Sequence, residues 1–240
     1  MIITQNITKY FGGFQALKNV SFTIGKGEIV GFLGQNGAGK TTLMRILTSY
    51  LPATSGEVII GGKNAAKDSI GLRRKIGYLP ENPPLYPNMT VKDYLLFAAQ
   101  LKDVPTKWQC FQVDKVIEEC NLNDVRGKTI AVLSKGYKQR VGIAQAIIND
   151  PEVLILDEPT IGLDPVQILQ VRKLIKSLEY KRTVILSTHI LSEIQQIAQR
   201  VLIIKSGEII IDGSLKDLLT EKGANLEEIF LDLHSAREDQ

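Results

Sequence analysis

The stretch Gly34-Gln35-Asn36-Gly37-Ala38-Gly39-Lys40-Thr41-Thr42 leaves this chain few folds to choose from. An apolar run, Glu28-Ile29-Val30-Gly31-Phe32-Leu33, precedes it, and Leu43-Met44-Arg45-Ile46-Leu47 follows with apolar residues at helical spacing. The order is strand, glycine-rich loop, helix. Successive N–H groups of such a loop turn inward to wrap a phosphate, and several of the backbone angles this requires are costly for any residue with a Cβ. Lys40 supplies a point charge for β- and γ-phosphates, Thr41 offers a hydroxyl to Mg²⁺, and the positive end of the following helix adds to the same anion site. A nucleotide phosphate site is therefore expected at 34–42. A glycine-rich turn with a purely structural task leaves the place of Lys40 at the helix start unexplained. The loop alone names neither the nucleotide nor the use made of its hydrolysis.

A chain of 240 residues is long enough for one large domain or two small ones, with a core that is stable without staples. Its net charge of +3 is only mildly basic, so no nucleic-acid partner is expected. The run Arg73-Arg74-Lys75 reads as a solvated face. Cys110 and Cys120 are too few for a disulfide framework and have no metal-ligand spacing around them, which suits structural thiols in a reducing compartment. Met1-Ile2-Ile3-Thr4-Gln5-Asn6 lacks the pattern of a secretion signal, and no apolar run reaches the roughly 20 residues of a membrane-spanning helix. A soluble, cytoplasmic chain is expected.

Residues 2–30 read as short strands with tight turns, the last turn at Gly25-Lys26-Gly27. Asn19–Ile24 alternates polar and apolar residues like a half-buried strand. Tyr10-Phe11-Gly12-Gly13 sets two aromatics at a turn, where they either stack on a base or cap the core of a small sheet. A strand at Glu57-Val58-Ile59-Ile60 and a buried one at Lys75-Ile76-Gly77-Tyr78-Leu79 follow, the latter ending at Pro80-Glu81. The proline-rich stretch 82–87 continues neither sheet nor helix. From Thr90 to about Asp150 the pattern is helical, with Val91, Tyr94, Leu95, Ala98 and Leu101 on one apolar stripe and Val113, Val116, Ile117 and Cys120 on another. The sheet resumes in the unbroken apolar run Val153-Leu154-Ile155-Leu156-Asp157-Glu158. A helix over about 165–180, a buried strand at Thr183–Ser187 ending in Thr188-His189, and a hairpin around Lys205-Ser206-Gly207 complete the pattern. These strands bring Gly34, Glu81, Asp157, Glu158 and His189 to the C-terminal edge of an open α/β sheet, where such sheets bind ligands.

Asp157 closes its strand where a carboxylate can hold Mg²⁺ through water, with Thr41 as the complementary ligand. Glu158 is the candidate for polarising an attacking water. His189, at another strand end, is the candidate for a γ-phosphate contact. Acids often end strands and a surface histidine needs no task, but two acids closing an apolar strand in a phosphate-loop chain favour the catalytic reading.

Over almost its full length the chain resembles the nucleotide-binding subunits of ABC transporters. The resemblance rests on the phosphate loop, on Leu133-Ser134-Lys135-Gly136-Tyr137-Lys138-Gln139-Arg140, on Leu156-Asp157-Glu158-Pro159-Thr160, on Gly162-Leu163-Asp164-Pro165 and on Ser187-Thr188-His189. It implies an α/β phosphate-loop ATPase core with a mostly parallel sheet, an N-terminal antiparallel β-subdomain and a helical insert. The implied division is 1–82 with 151–220 for the core and β-subdomain, 83–150 for the helical part and 221–240 for a short tail. In this family two subunits face head to tail, so Ser134, Lys135 and Gly136 of one would close on the ATP held by Lys40 of the other. Asp164 would lie at the seam, and Phe11, or else Tyr10, would stack on adenine. The implied cofactors are ATP and Mg²⁺, the latter held by Thr41, Asp157 and Glu81. The implied partners are a second ATPase subunit, identical or different, and separate membrane permease chains on whose cytoplasmic face the dimer sits.

Two departures stand out. The signature usually reads Ser-Gly-Gly-Gln, and here Lys135 and Tyr137 replace a glycine and the glutamine. Glu81 stands where most members place a glutamine, adding negative charge near the γ-phosphate. The form Gly77-Tyr78-Leu79-Pro80-Glu81, the Ser-Lys-Gly signature and the tail Leu226-Glu227-Glu228-Ile229-Phe230-Leu231 look like the exporter branch with ABC-2-type membrane subunits, in particular its gliding-motility and multidrug-export members. The competing readings are a non-transport ABC protein acting on ribosomes or DNA and a regulatory ATPase pulling on a membrane complex. The first normally has two cassettes or a long coiled coil, and this chain has one cassette and no heptad run.

Overall fold

The computed structural model describes residues 1–179, 181–222, 227–228 and 230. Two sheets organise them. The first is antiparallel, in the order β2-β1-β4-β5, from β1 (Ile2–Phe11), β2 (Phe14–Ile24), β4 (Ser55–Ile60) and β5 (Lys63–Asn64). The second runs β10-β9-β3-β8-β7-β6, from β3 (Ile29–Leu33), β6 (Ile76–Leu79), β7 (Val153–Asp157), β8 (Thr183–Thr188), β9 (Arg200–Lys205) and β10 (Glu208–Ser214). Its first five members in chain order pair in parallel, and only the edge strand β10 is antiparallel, to β9.

Every residue of β3, β7 and β8 is buried, which is why these strands read as unbroken apolar runs rather than as alternating ones. Alternation survives in which core each side chain enters. On β7, Val153 and Ile155 join Val30, Phe32 and Ile185 in a core shared with the antiparallel sheet and with α1 (Lys40–Leu47). Leu154 and Leu156 point the other way. They pack with Val184 and Leu186 against a helical layer of α3 (Val91–Leu101), α4 (Thr106–Glu119), α5 (Lys135–Ile147), α6 (Pro165–Ser177) and α7 (Leu191–Ile197). Two further helices, α2 (Ser69–Arg74) before β6 and α8 (Leu215–Lys222) after β10, and two single 3-10 turns at Asn123–Val125 and Ile130–Val132 complete the described elements.

Helices α3–α5 stand between β6 and β7, where the helical periodicity places them. The starts of α3 and α6 are chemically marked. Thr90 accepts from Asp93 N at 3.2 Å and donates to the Asp93 carboxylate, and Asp164 accepts from Gln167 N at 2.9 Å ahead of Pro165.

The structure revises several expectations. Residues 2–24 form two long paired strands, not short ones, because bulges between Thr4 and Lys9 and positive φ at Asn6 (51°) and Asn19 (48°) interrupt the alternation that marks a continuous strand. Leu101 is 67% exposed at the end of α3, so the apolar stripe stops at Ala98 and Ala99. Helix α6 ends at Ser177, and Tyr180 lies outside the described residues. Cys120 is fully buried as a core thiol, whereas Cys110 is exposed. Arg73 and Arg74 lie on the surface as expected, Arg74 bridging Asp103 at 2.8 Å. Of the tail 221–240, residues 223–226, 229 and 231–240 lie outside the described residues; these include Leu226, Ile229 and Leu231.

Candidate functional site

The C-terminal ends of four parallel strands converge on one edge. β3 leads into the phosphate loop, β6 into Pro80-Glu81, β7 ends in Asp157-Glu158 and β8 in Thr188-His189. A cavity of about 550 Å³ opens there, lined by Asn36, Gly37, Gly39, Lys40, Thr41 and Thr42 of the loop and by Glu81, Glu158, His189, Phe11, Phe14, Ala16 and Ile161.

The loop obeys the geometry that its glycines suggest. Gly39 caps α1 at φ 109°, and a Cβ there would sit 2.9 Å from the Ala16 carbonyl oxygen, so both angle and space demand glycine. Ala38 is buried, its N–H donating to Gln35 O at 3.1 Å, which holds the turn closed. Lys40 is 6% exposed, and its ammonium donates to Gly34 O at 2.7 Å and Gln35 O at 3.2 Å. Burial pushes the Lys40 amine below its ordinary range, and the carboxylates of Glu158, Asp157 and Glu81 push it back. The cation thus sits at the floor of a phosphate-shaped loop with three carboxylates facing it.

Glu158 leaves the β7 geometry at φ 49°, a left-handed conformation that is uncommon for a residue with a Cβ. Two backbone bonds hold it there, Glu158 N to Ser187 O at 2.9 Å and Ile161 N to Glu158 O at 3.2 Å. The turn aims the carboxylate away from the core and into the cavity rim. Its Oε1 lies 3.9 Å from Lys40 Nζ, and both oxygens lie 3.0 Å from His189 Nδ1. An ionised carboxylate only accepts, so Nδ1 carries the proton and Nε2 is left for another partner. The Glu158 side chain is 8% exposed and that of His189 41%, an acid within and an imidazole at the mouth.

Asp157 is 1% exposed, and neither carboxylate oxygen has a hydrogen-bond partner among the described residues. Burial pushes its carboxyl above the ordinary aspartate range and the neighbouring Glu158 adds to this, while the Ser187 and Thr41 hydroxyls beside it oppose the shift without closing a bond. A buried acceptor left open in this way suits a hard cation. Asp157 faces a second cavity of about 540 Å³ that shares Thr41 and Glu81 with the first. Glu81 is exposed, at the start of the proline-rich connection to α3.

The remaining expected residues are elsewhere. Ser134, Lys135, Gly136 and Asp164 do not line the phosphate-loop cavity. Ser134 caps α5, accepting from Tyr137 N at 3.4 Å, and both Ser134 and Lys135 are exposed. The Lys135 ammonium lies against Gly162, where a side chain would displace it. Tyr137, the unusual residue at the glutamine position, turns aside: its hydroxyl donates to the Asp124 carboxylate and its ring lies 4.2 Å from the Arg140 guanidinium. Of the two aromatics, Phe11 lines the phosphate-loop cavity and Tyr10 does not. Phe14 also lines it and escaped the sequence reading; the hairpin register sets it opposite Phe11 across the Gly12-Gly13 turn.

The ABC transporter family model matches residues 17–161. The bacitracin transport ATP-binding protein BcrA of Bacillus licheniformis is 41% identical over 88% of this chain and 68% of its own length. The lantibiotic transport ATP-binding protein SrtF of Streptococcus pyogenes is 36% identical over 96% of both chains. Among solved structures, the dimeric ATP-binding cassette MJ0796 in a post-hydrolysis state with ADP and Pi superposes with a TM-score of 0.80 at 28% identity, covering 89% of this chain and 98% of the other. With its phosphate loop, buried acids and sheet order all in place, the chain belongs to the ABC transporter family, as one of its ATP-binding, ATP-hydrolysing subunits.

Proposed function

We propose that this chain powers an exporter of the ABC-2 type, binding two ATP molecules between two copies of itself or between itself and a similar partner. The observation that carries the reading is the Glu158 carboxylate, buried yet turned into the cavity rim between Lys40 at 3.9 Å and His189 at 3.0 Å. In that place it accepts a proton from an attacking water as the water approaches the γ-phosphate. Lys40 and His189 stabilise charge on the transferring group, and Phe11 stacks on adenine. Gly34, Gln35, Asn36, Gly37, Ala38, Gly39 and Thr42 complete the phosphate cradle.

The residues fit Mg²⁺. The open carboxylate of Asp157 and the hydroxyl of Thr41 are oxygen donors of the kind the ion takes, with Glu81 within reach of the same two cavities. When bound, the ion would neutralise negative charge on the phosphates.

Ser134, Lys135 and Gly136 act on the partner's ATP, and Asp164 lies at the seam between subunits. The exposure of Ser134, Lys135 and Asp164, and the place of all four residues outside their own chain's cavity, support this, as does the dimeric state named for MJ0796. Functionally, 1–82 with 151–220 holds nucleotide, and 83–150 carries the signature and meets the permease. Among the described residues no helix is long and apolar enough to cross a membrane, which fits a peripheral subunit held at the cytoplasmic face by a separate permease. The names of BcrA and SrtF, with the Ser-Lys-Gly signature, support the exporter branch.

Light scattering of Glu158→Gln with and without MgATP tests the sandwich. A dimer that forms only with ATP is expected, and a persistent monomer at saturating ATP would remove the symmetric arrangement.

A further inference from the structure

Behind the catalytic pair lies a carboxylate with no part in the mechanism above. Glu193, on α7, is 1% exposed. Its Oε1 accepts from the Thr160 hydroxyl, and its Oε2 accepts from the Thr188 hydroxyl at 3.1 Å. Thr160 is two residues after Glu158, and Thr188 is the residue before His189. One buried side chain therefore holds the loop that carries the acid and the strand end that carries the imidazole. Thr188 Oγ1 in turn accepts from Ile190 N at 3.1 Å, which fixes the chain on the far side of His189.

The bracket extends to a third element. Arg172 of α6 places Nη2 3.9 Å from Glu193 Oε1 and donates from Nη1 to Gln196 Oε1 at 2.7 Å, joining α6 to α7. Helix α6 is the one capped by Asp164. Neighbouring Ile194 is fully buried, so the backbone that carries Glu193 is seated in the core.

A buried carboxylate is costly unless its lone pairs are used, and an apolar residue of similar size would fill the same space at lower cost. The return is geometric. The contact between Glu158 and His189 spans two separate strand ends, and Glu158 sits in a strained conformation that the surroundings must over-determine. We propose that Glu193 is a positioning residue for ATP hydrolysis: by holding Thr160 and Thr188 with one carboxylate it sets the distance between Glu158 and His189, and through Arg172 it ties that distance to α6. The proposal rests on Glu158 being the water-activating group.

Steady-state hydrolysis by the full chain, with nucleotide affinity from a fluorescent-ATP titration, tests it. Glu193→Gln keeps the volume but replaces one acceptor by a donor, and is expected to lower kcat about tenfold while leaving KM and affinity within about twofold. In a His189→Ala background the same change should cost less than about threefold, because the distance it sets no longer matters. Thr160→Val, which removes one of the two hydroxyls and leaves the carboxylate, should repeat the kcat loss in milder form and stands in if Glu193→Gln fails to fold. An unchanged kcat in Thr160→Val and in a folded Glu193→Gln, or an equal loss in both backgrounds, would overturn the assignment. Full turnover in Glu158→Gln would remove the catalytic reading and this proposal together, whereas loss there with normal turnover in Glu193→Gln would remove this proposal alone.

Discussion

Two helix starts in this molecule face anions in the proposed mechanism, and they are built in opposite ways. At the start of α1 the chain supplies everything: a left-handed glycine cap, a lysine 6% exposed, and the carboxylates of Glu158, Asp157 and Glu81 around it. At the start of α5 the cap is Ser134, the following Lys135 is exposed, and the neighbours belong to α6 and its preceding turn rather than to a sheet edge. A helix N-terminus attracts anions in either setting. Only the first is surrounded by groups whose charges and burial complete a reaction site within one chain. The difference teaches that the local signal for a phosphate-binding turn does not say whose phosphate is bound; burial and neighbours do.

The sharpest way to break the contrast is at Glu158. Phosphate release by Glu158→Gln should fall by on the order of 10²–10⁴ with ATP binding retained, because the amide still fills the space but takes no proton. Mixing two inactive variants is the next test. Lys40→Ala lacks its own phosphate loop and Ser134→Arg lacks its own signature. If α5 completes the partner's site, the mixture regains one intact composite site, and turnover should rise by on the order of tenfold over either variant alone. A mixture as inactive as its components would place the signature in the same chain's reaction.

The far end of α5 gives a third comparison. While its start is open, its last carbonyls are clamped by Lys102, which donates to Gln145 O at 2.8 Å and Ala146 O at 3.0 Å. Burial pushes the Lys102 amine down to about 7. The unfolded chain, with the ordinary lysine value of 10.5, therefore binds more protons between pH 7 and 10.5, and stability should rise with pH across that window. The rise is at most about 1.4 kcal/mol per pH unit. Urea unfolding at a series of pH values checks it, with Lys102→Met expected to flatten the slope. The smallest effect belongs to the aromatic rim: Phe11→Ala should weaken ATP binding by about 1 kcal/mol, roughly fivefold, while Tyr10→Ala leaves it unchanged in the same titration.

How much of this was legible depends on where each residue draws its meaning. Asp157, Glu158 and His189 stand at strand ends, and Lys40 and Thr41 follow a glycine-rich loop at a helix start, so an apolar run and the residues after it locate them without knowledge of the partner strands. Glu81 was placed in the same way. Phe14 was missed because its task depends on a hairpin register, and residues 2–24 looked broken because bulges at Asn6 and Asn19 disturb the alternation. Tyr137 looked like a defect in the signature until Asp124 and Arg140 were seen to hold it aside.

Glu193 shows the limit most plainly. In the sequence it is one acid between a strand end and a hairpin, indistinguishable from a solvated one. In the structure it is buried between Thr160 and Thr188, which are separated by 28 positions in the chain and joined only because β7 and β8 pair in parallel. By itself the sequence determined the buried strands, the helical stretch between them, the phosphate loop and the acids beside it, because these follow from local periodicity and backbone stereochemistry. The tertiary structure alone decided which carboxylate pairs with Lys40, which oxygens are left open for a cation and which buried acid brackets the catalytic pair, because burial and hydrogen bonding are properties of neighbours that chain order does not contain.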